Sequence, residues 1–186
     1  TPIAHRGLWN ESAVENSILS YSLAVQKGFP IEIDLYSTKD GHIVCFHDDT
    51  LFRMTGANGF IYEKTLAELK ELSLLGSAHK IPTFDEVLSV VSGKVPLLVE
   101  IKDQPDKNVV EKVVERLKSY KGEFAIQSFN PFYINKVKKI APFVIRGILG
   151  TAKAEGEKWF TRVVLKRLCL NFLIKPDFVS YQHCFL

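Results

Sequence analysis

The feature that most restricts this chain is a repeated change of hydrophobic period, in which short apolar runs alternate with longer segments of helical spacing. The runs fall at residues 2–5, 30–35, 43–47, 96–101, 124–129, 144–149 and 178–181. Between two of them, Val109, Val110, Val113, Val114 and Leu117 recur at i, i+3, i+4 spacing with Glu and Lys on the other face, the pattern of a helix covering a sheet. Similar helices are expected over 17–27, 65–72, 83–91, 131–140 and 158–170, with Thr65 and Thr83 as N-caps. Asp40-Gly41 predicts a tight hairpin turn, and 49–62, with Gly56 and Gly59, reads as a loop. Strands alternating with helices predict an α/β fold on a parallel sheet. Alternation alone fits both a TIM (β/α)8 barrel and an open doubly wound sheet.

At 186 residues, 46% of them hydrophobic, the chain can bury one core, and residues 1–186 read as a single domain. A complete (β/α)8 barrel takes about 200–250 residues. A barrel built from these units is therefore expected to lack its last one or two β/α units. No apolar run approaches the roughly 20 residues that span a bilayer, and no secretory leader opens the chain, so a cytoplasmic protein is expected. The three cysteines, Cys45, Cys169 and Cys184, form no CxxC pair and read as reduced thiols. A net charge of +3 with both signs interspersed gives no nucleic-acid footprint, and Lys136, Lys138 and Lys139 read as a solvated helix face. His42, His79 and His183 read as structural or surface residues.

The informative polar residues stand at or just past the ends of apolar runs: His5-Arg6, Glu32 with Asp34, His47-Asp48-Asp49, and Glu100 with Lys102. In parallel α/β folds those ends gather on one face, where active sites are built. Glu32 and Asp34 are two apart, so both point to the same side of a strand, and Glu100 can complete a set of three carboxylates. Hard oxygen ligands of this kind suit Mg²⁺ or Ca²⁺. In the apolar run around Glu32 and Asp34, unpaired carboxylates are costly unless something binds them. His5 and His47 are candidates for an acid and base pair, against a plain reading as capping and core histidines. Arg6 and Lys102 offer positive charge to a phosphate, or salt bridges to the neighbouring acids.

Together, His5-Arg6-Gly7, Glu15-Asn16-Ser17, Glu32-Ile33-Asp34, Lys39-Asp40-Gly41, Phe46-His47-Asp48, Glu100-Ile101-Lys102 and Gln127-Ser128-Phe129 resemble the glycerophosphodiester phosphodiesterase family in order and spacing, across residues 3 to about 130. Each motif alone is common; the whole set in register is specific. The resemblance implies a TIM barrel binding one divalent cation, Mg²⁺ or Ca²⁺, through Glu32, Asp34 and Glu100. It implies His5 and His47 as the acid and base, Arg6 and Lys102 on the phosphate, and Glu15, Asn16, Gln127 and Ser128 in support, the last two facing the pocket. The family pattern continues with a tryptophan-containing strand motif and a closing strand and helix, for which Trp159 is not in a position to stand. The implied reaction is hydrolysis of a small glycerophosphodiester to glycerol phosphate and an alcohol. Two alternatives remain at this point. One is a lysophospholipase D-type activity on lipid, for which Leu51-Phe52 and Phe60-Ile61-Tyr62 would supply an apolar mouth. The other is a noncatalytic phosphate-binding module.

Overall fold

Local chemistry sets the first helix. The Ser17 hydroxyl accepts from the Ser20 amide and opens α1 (Ile18–Lys27), and Gly28, at φ 72°, closes it by donating to the Ala24 and Val25 carbonyls. A computed structural model describes residues 2–150 and 171–181 of the chain. The helix expected over 158–170, together with Trp159, Cys169, His183 and Cys184, lies outside them. Two further helices, α3 (Leu66–Glu71) and α4 (Phe84–Val91), start on capping boxes, Thr65 with Glu68 and Thr83 with Glu86. The apolar stripe of α5 (Val109–Ser119) is buried at all five of its expected positions. Asn130 caps α6 (Pro131–Ile140), with proline at its first turn.

These helices pack on a curled parallel sheet. Strands β1 (Ala4–His5), β2 (Ile31–Ser37), β4 (Leu97–Ile101), β5 (Phe124–Ser128), β6 (Ile145–Gly150) and β7 (Phe178–Tyr181) pair in that order, each parallel to the next. The remaining strand, β3 (Ile43–Cys45), returns antiparallel on the end of β2 through the Asp40-Gly41 turn, with Gly41 at φ 86°. The architecture is a TIM-like α/β fold.

Strand alternation then divides the side chains. Ile31, Ile33, Leu35, Leu97, Val99, Ile101 and Ile126 join one core with Tyr21, Phe84, Val87 and the stripe of α5. The residues between them, Glu32, Asp34, Leu98, Glu100 and Gln127, face the concave side of the sheet. A second core, Tyr36, Val44, Phe46, Leu51, Met54, Ile61, Leu69, Leu74 and Ile81, seats the segment that follows β3.

That second core corrects the expectation of a loop over 49–62. Leu51 and Met54, three apart, anchor a short helix α2 (Phe52–Thr55), and Ile61 anchors a 3-10 turn at Ile61–Glu63. Backbone bonds from Leu51 N to Gly59 O and from Ile61 N to Asp49 O close the segment on itself. The apolar pairs therefore have divided fates: Leu51 and Ile61 are buried, whereas Phe52 is 66% exposed. Cys45 is a buried free thiol, His42 lies on the surface, and the half-buried His79 meets the Ser12 carbonyl through Nε2 at 3.1 Å. Among the described residues, no helix is long and apolar enough to cross a membrane.

Candidate active site

Parallel register places the polar strand residues side by side. His5 stands opposite Glu32, Asp34 opposite Glu100, Glu100 opposite Gln127, and Gln127 opposite Gly147. With Arg6, His47 and Lys102 from the loops beyond the strands, most of these line a cleft of about 450 Å³. The carboxylates of Glu32, Asp34 and Glu100 are 5%, 0% and 7% exposed, and one oxygen from each lies within 4.8 Å of the other two. The candidate residues chosen from three separate segments thus meet in one place.

The turn after β1 is shaped by its backbone. Arg6, at φ 62°, and Asn16, at φ 53°, are both non-glycine residues in the left-handed region, and the Asn16 amide donates to the Arg6 carbonyl at 3.0 Å. Gly7, at φ 84°, passes so close to α1 that an added Cβ would stand 2.8 Å from Ser20 backbone. The His5-Arg6-Gly7 motif therefore needs glycine at its third position for space as well as for φ.

Three like charges buried together demand compensation. Lys102 provides part of it: its Nζ lies 2.7 Å from Glu100 Oε1 and 3.2 Å from Asp34 Oδ1. Burial alone would lower the Lys102 ammonium, but Asp34 and Glu100 outweigh that and raise it. Burial, then the charges of Asp34 and Glu100, pushes the Glu32 carboxyl well above the ordinary range, and burial raises Glu100 as well. Arg6 Nε is 3.7 Å from Asp34 Oδ2, and the Arg6 amide donates to Glu32 Oε2 at 3.2 Å. Asn16 Nδ2 donates to Asp34 Oδ2 at 3.3 Å, and Tyr21, buried on α1, donates to Asn16 Oδ1 at 2.6 Å, fixing which way that amide faces.

This donor set fits a divalent cation. Its oxygens are hard, and its three carboxylates outnumber the cations beside them. Gln127 adds an observation of its own, since its Oε1 is buried in the cleft wall without a hydrogen-bond donor among the described residues.

The two histidines differ in their surroundings. His5 Nε2 lies 3.9 Å from Glu32 Oε2, and its pKa is lowered by partial burial and by Arg6. His47 Nδ1 bonds Asp48 Oδ1 at 2.7 Å, and burial followed by the Lys102 charge lowers its pKa. Ser128 corrects an expectation. It follows Gln127 on β5 and does not line the cleft; its buried hydroxyl donates to Ile101 O at 2.6 Å and accepts from the Asn130 amide. Period-two alternation sends adjacent strand residues to opposite faces, so only one of that pair can point inward. The roles of Arg53 and Tyr21, and the bond from Asp48 to His47, have no counterpart in the sequence pattern.

The glycerophosphoryl diester phosphodiesterase family model matches residues 5–181. The chain belongs to that family. Among its relatives, a glycerophosphodiester phosphodiesterase of Caldanaerobacter subterraneus is 37% identical over 79% of this chain. One of Bacillus subtilis is 33% identical over 75% of it. The matched regions span 65% and 56% of those relatives' own lengths. Among solved structures, a phosphodiesterase of Oleispira antarctica in complex with the product sn-glycerol-3-phosphate superposes with a TM-score of 0.80 at 30% identity, covering 99% of this chain and 75% of that one. A glycerophosphodiester phosphodiesterase of Thermotoga maritima gives 0.72 at 26% identity, covering 96% and 72%. Family membership and fold therefore rest on both sequence and structure.

Proposed function

We propose that this chain contributes the active site of a metal-dependent phosphodiesterase that hydrolyses small glycerophosphodiesters to glycerol phosphate and an alcohol. The observation that carries the reading is the meeting of three buried carboxylates, two histidines, one arginine and one lysine in a single cleft. Glu32, Asp34 and Glu100 would hold one divalent cation, Mg²⁺ or Ca²⁺. Such a cation supplies Lewis acidity at a phosphate oxygen.

The protein's own groups do the rest. Arg6 and Lys102 hold the phosphate at the cleft. Lys102 is suited to this because an ammonium has three donors and the two carboxylate contacts leave one for a ligand. Glu15 and Asn16 support the loop that carries Arg6, through an ion pair at 3.0 Å and through the Arg6 carbonyl. Gln127 supports the inner wall, and Ser128 ties the ends of β4 and β5 together. One of His5 and His47 takes the proton of the attacking hydroxyl, from water or from the substrate's adjacent glycerol, as its oxygen bonds phosphorus. The other gives a proton to the departing alkoxide as that P–O bond breaks; where the glycerol hydroxyl attacks, the cyclic phosphate so formed is opened by water in a second step with the two roles exchanged. The lowered pKa of each favours the neutral imidazole that accepts the first proton, and the partner must enter the step protonated in order to give one.

The test is release of glycerol phosphate from glycerophosphocholine and glycerophosphoethanolamine by the chain with Mg²⁺, with Ca²⁺ and with EDTA, beside a lysolipid substrate. The expected result is metal-dependent release from the small diesters that is lost in Glu32→Ala and Asp34→Ala. Undiminished turnover in either variant would refute the assignment, and turnover of the lysolipid alone would favour a lipid substrate.

A further inference from the structure

We infer that Arg53 is a positioning residue that joins the acid and base His47 to the phosphate-holding Arg6 from behind the cleft. The inference rests on the reading of His47 and Arg6 given above. Arg53 does not line the cleft. Its guanidinium forks instead. Nε donates to Asp48 Oδ2, while NH2 donates to Asp48 Oδ1 at 2.9 Å and to Glu15 Oε1 at 2.6 Å. Asp48 Oδ1 in turn meets His47 Nδ1 at 2.7 Å, and Glu15 Oε1 accepts from Arg6 NH1 at 3.0 Å.

The path runs His47, Asp48, Arg53, Glu15, Arg6 without a break. It crosses between segments that are far apart in sequence, since Arg53 and Glu15 are 38 residues apart. A planar fork with fixed donor directions can serve two carboxylates at once, which a point-charge ammonium cannot do with the same geometry.

An exposed ion pair by itself stabilises little, and the Arg53 side chain is 47% exposed. The consequence lies in orientation. With Asp48 fixed by two bonds from Arg53, its Oδ1 faces His47 Nδ1 and selects the tautomer with the proton on Nδ1. The Nε2 lone pair then points to the cleft. With Glu15 fixed by the same guanidinium, Arg6 NH1 is held at one end while its Nε faces Asp34 Oδ2 at 3.7 Å. The short helix carrying Arg53 is itself rigidly seated, because Leu51 and Met54 on either side of it are buried in the second core.

Two readouts on the full chain test this: the tautomer of His47 by ¹⁵N NMR at about pH 8, where imidazole is neutral, and the affinity for inorganic phosphate in Mg²⁺ by ³¹P NMR. Asp48→Asn should mix the His47 tautomers and leave phosphate affinity unchanged. Glu15→Gln should do the reverse, weakening phosphate by about threefold to tenfold. Arg53→Met should do both, and Arg53→Lys should restore at most one of the two effects. The inference is overturned if Arg53→Met moves neither readout, or if Asp48→Asn and Glu15→Gln each move both alike. An unaltered chain that binds no phosphate would defeat the reading of the cleft, while the His47 tautomer would still decide the arm through Asp48.

Discussion

Replacing Glu32 with glutamine removes one of three buried like charges while keeping a carbonyl oxygen to accept from the Arg6 amide. At 4.8 Å or less, and with an effective dielectric constant of about 20, each ionised pair repels by about 3 kcal/mol or more. Glu32 has two such neighbours, with Lys102 opposing. Protonation of Glu32 limits what the folded state suffers, since its carboxyl is raised well above the ordinary range. The net relief in metal-free protein is then about 1–3 kcal/mol near neutral pH, or about 2–4 °C of melting temperature for each kcal/mol in a chain of this size. The sign with pH is fixed by linkage. A carboxyl raised on folding contributes stability that is present below its unfolded pKa of about 4.3 and lost as pH climbs through the raised value. The unaltered chain in EDTA should therefore lose stability on that climb, and Glu32→Gln should flatten the loss. Binding of Mg²⁺ or Ca²⁺ should move the opposite way, weakening by about tenfold or more when one of three charged ligands goes. Melting curves in EDTA across pH, with calorimetric metal titration, measure both halves. A variant that melts lower than the unaltered chain in EDTA at neutral pH would rule out net repulsion among the three carboxylates, and one that binds metal as tightly would rule out Glu32 as a ligand.

Two further outcomes follow from the shell around the cleft. Tyr21→Phe strips the buried Asn16 Oδ1 of its donor, and should cost about 1–3 kcal/mol in urea unfolding with weakened metal binding, because Asn16 orients Asp34; an unchanged unfolding midpoint would count against that chain of bonds. Burial opposes ionisation of Asp48, yet Arg53 and His47 hold its carboxyl down to about 2, so its contribution is present above about pH 4 and lost as pH falls toward 2. In Arg53→Met the destabilisation relative to the unaltered chain should thus be larger at about pH 7 than at about pH 2, measured by urea unfolding in EDTA. Equal destabilisation at both would sink the assignment.

Much of this arrangement is legible along the chain because it depends on neighbours within a few residues. The period-two runs of β2 and β4 and the i, i+3, i+4 stripe of α5 appear where the sequence places them, to within a residue or two. The pairing of Thr65 with Glu68 and of Thr83 with Glu86 is likewise a local bond that sequence spacing alone discloses. Glu32 and Asp34 stand out as candidates for the same reason, since two carboxylates on one side of an apolar strand are costly unless something binds them.

Packing between distant segments sets the rest. Which of Gln127 and Ser128 faces the cleft follows from the register of β5 against β4, where Gln127 meets Glu100. That Tyr21 serves Asn16, and that Arg53 reaches Glu15, follow from where α1 and the second core seat their backbones. No residue within a turn of Arg53 announces the 38-residue contact, because a guanidinium on a surface helix would read as solvated until the opposite carboxylate is brought to it. The alternation of elements is written along the chain, as are the kinds of side chain that reach the cleft. The fold alone turned that list of acids, bases and cations into a cleft with one orientation for each of them, since side-chain direction is a property of the packed backbone and not of the residue.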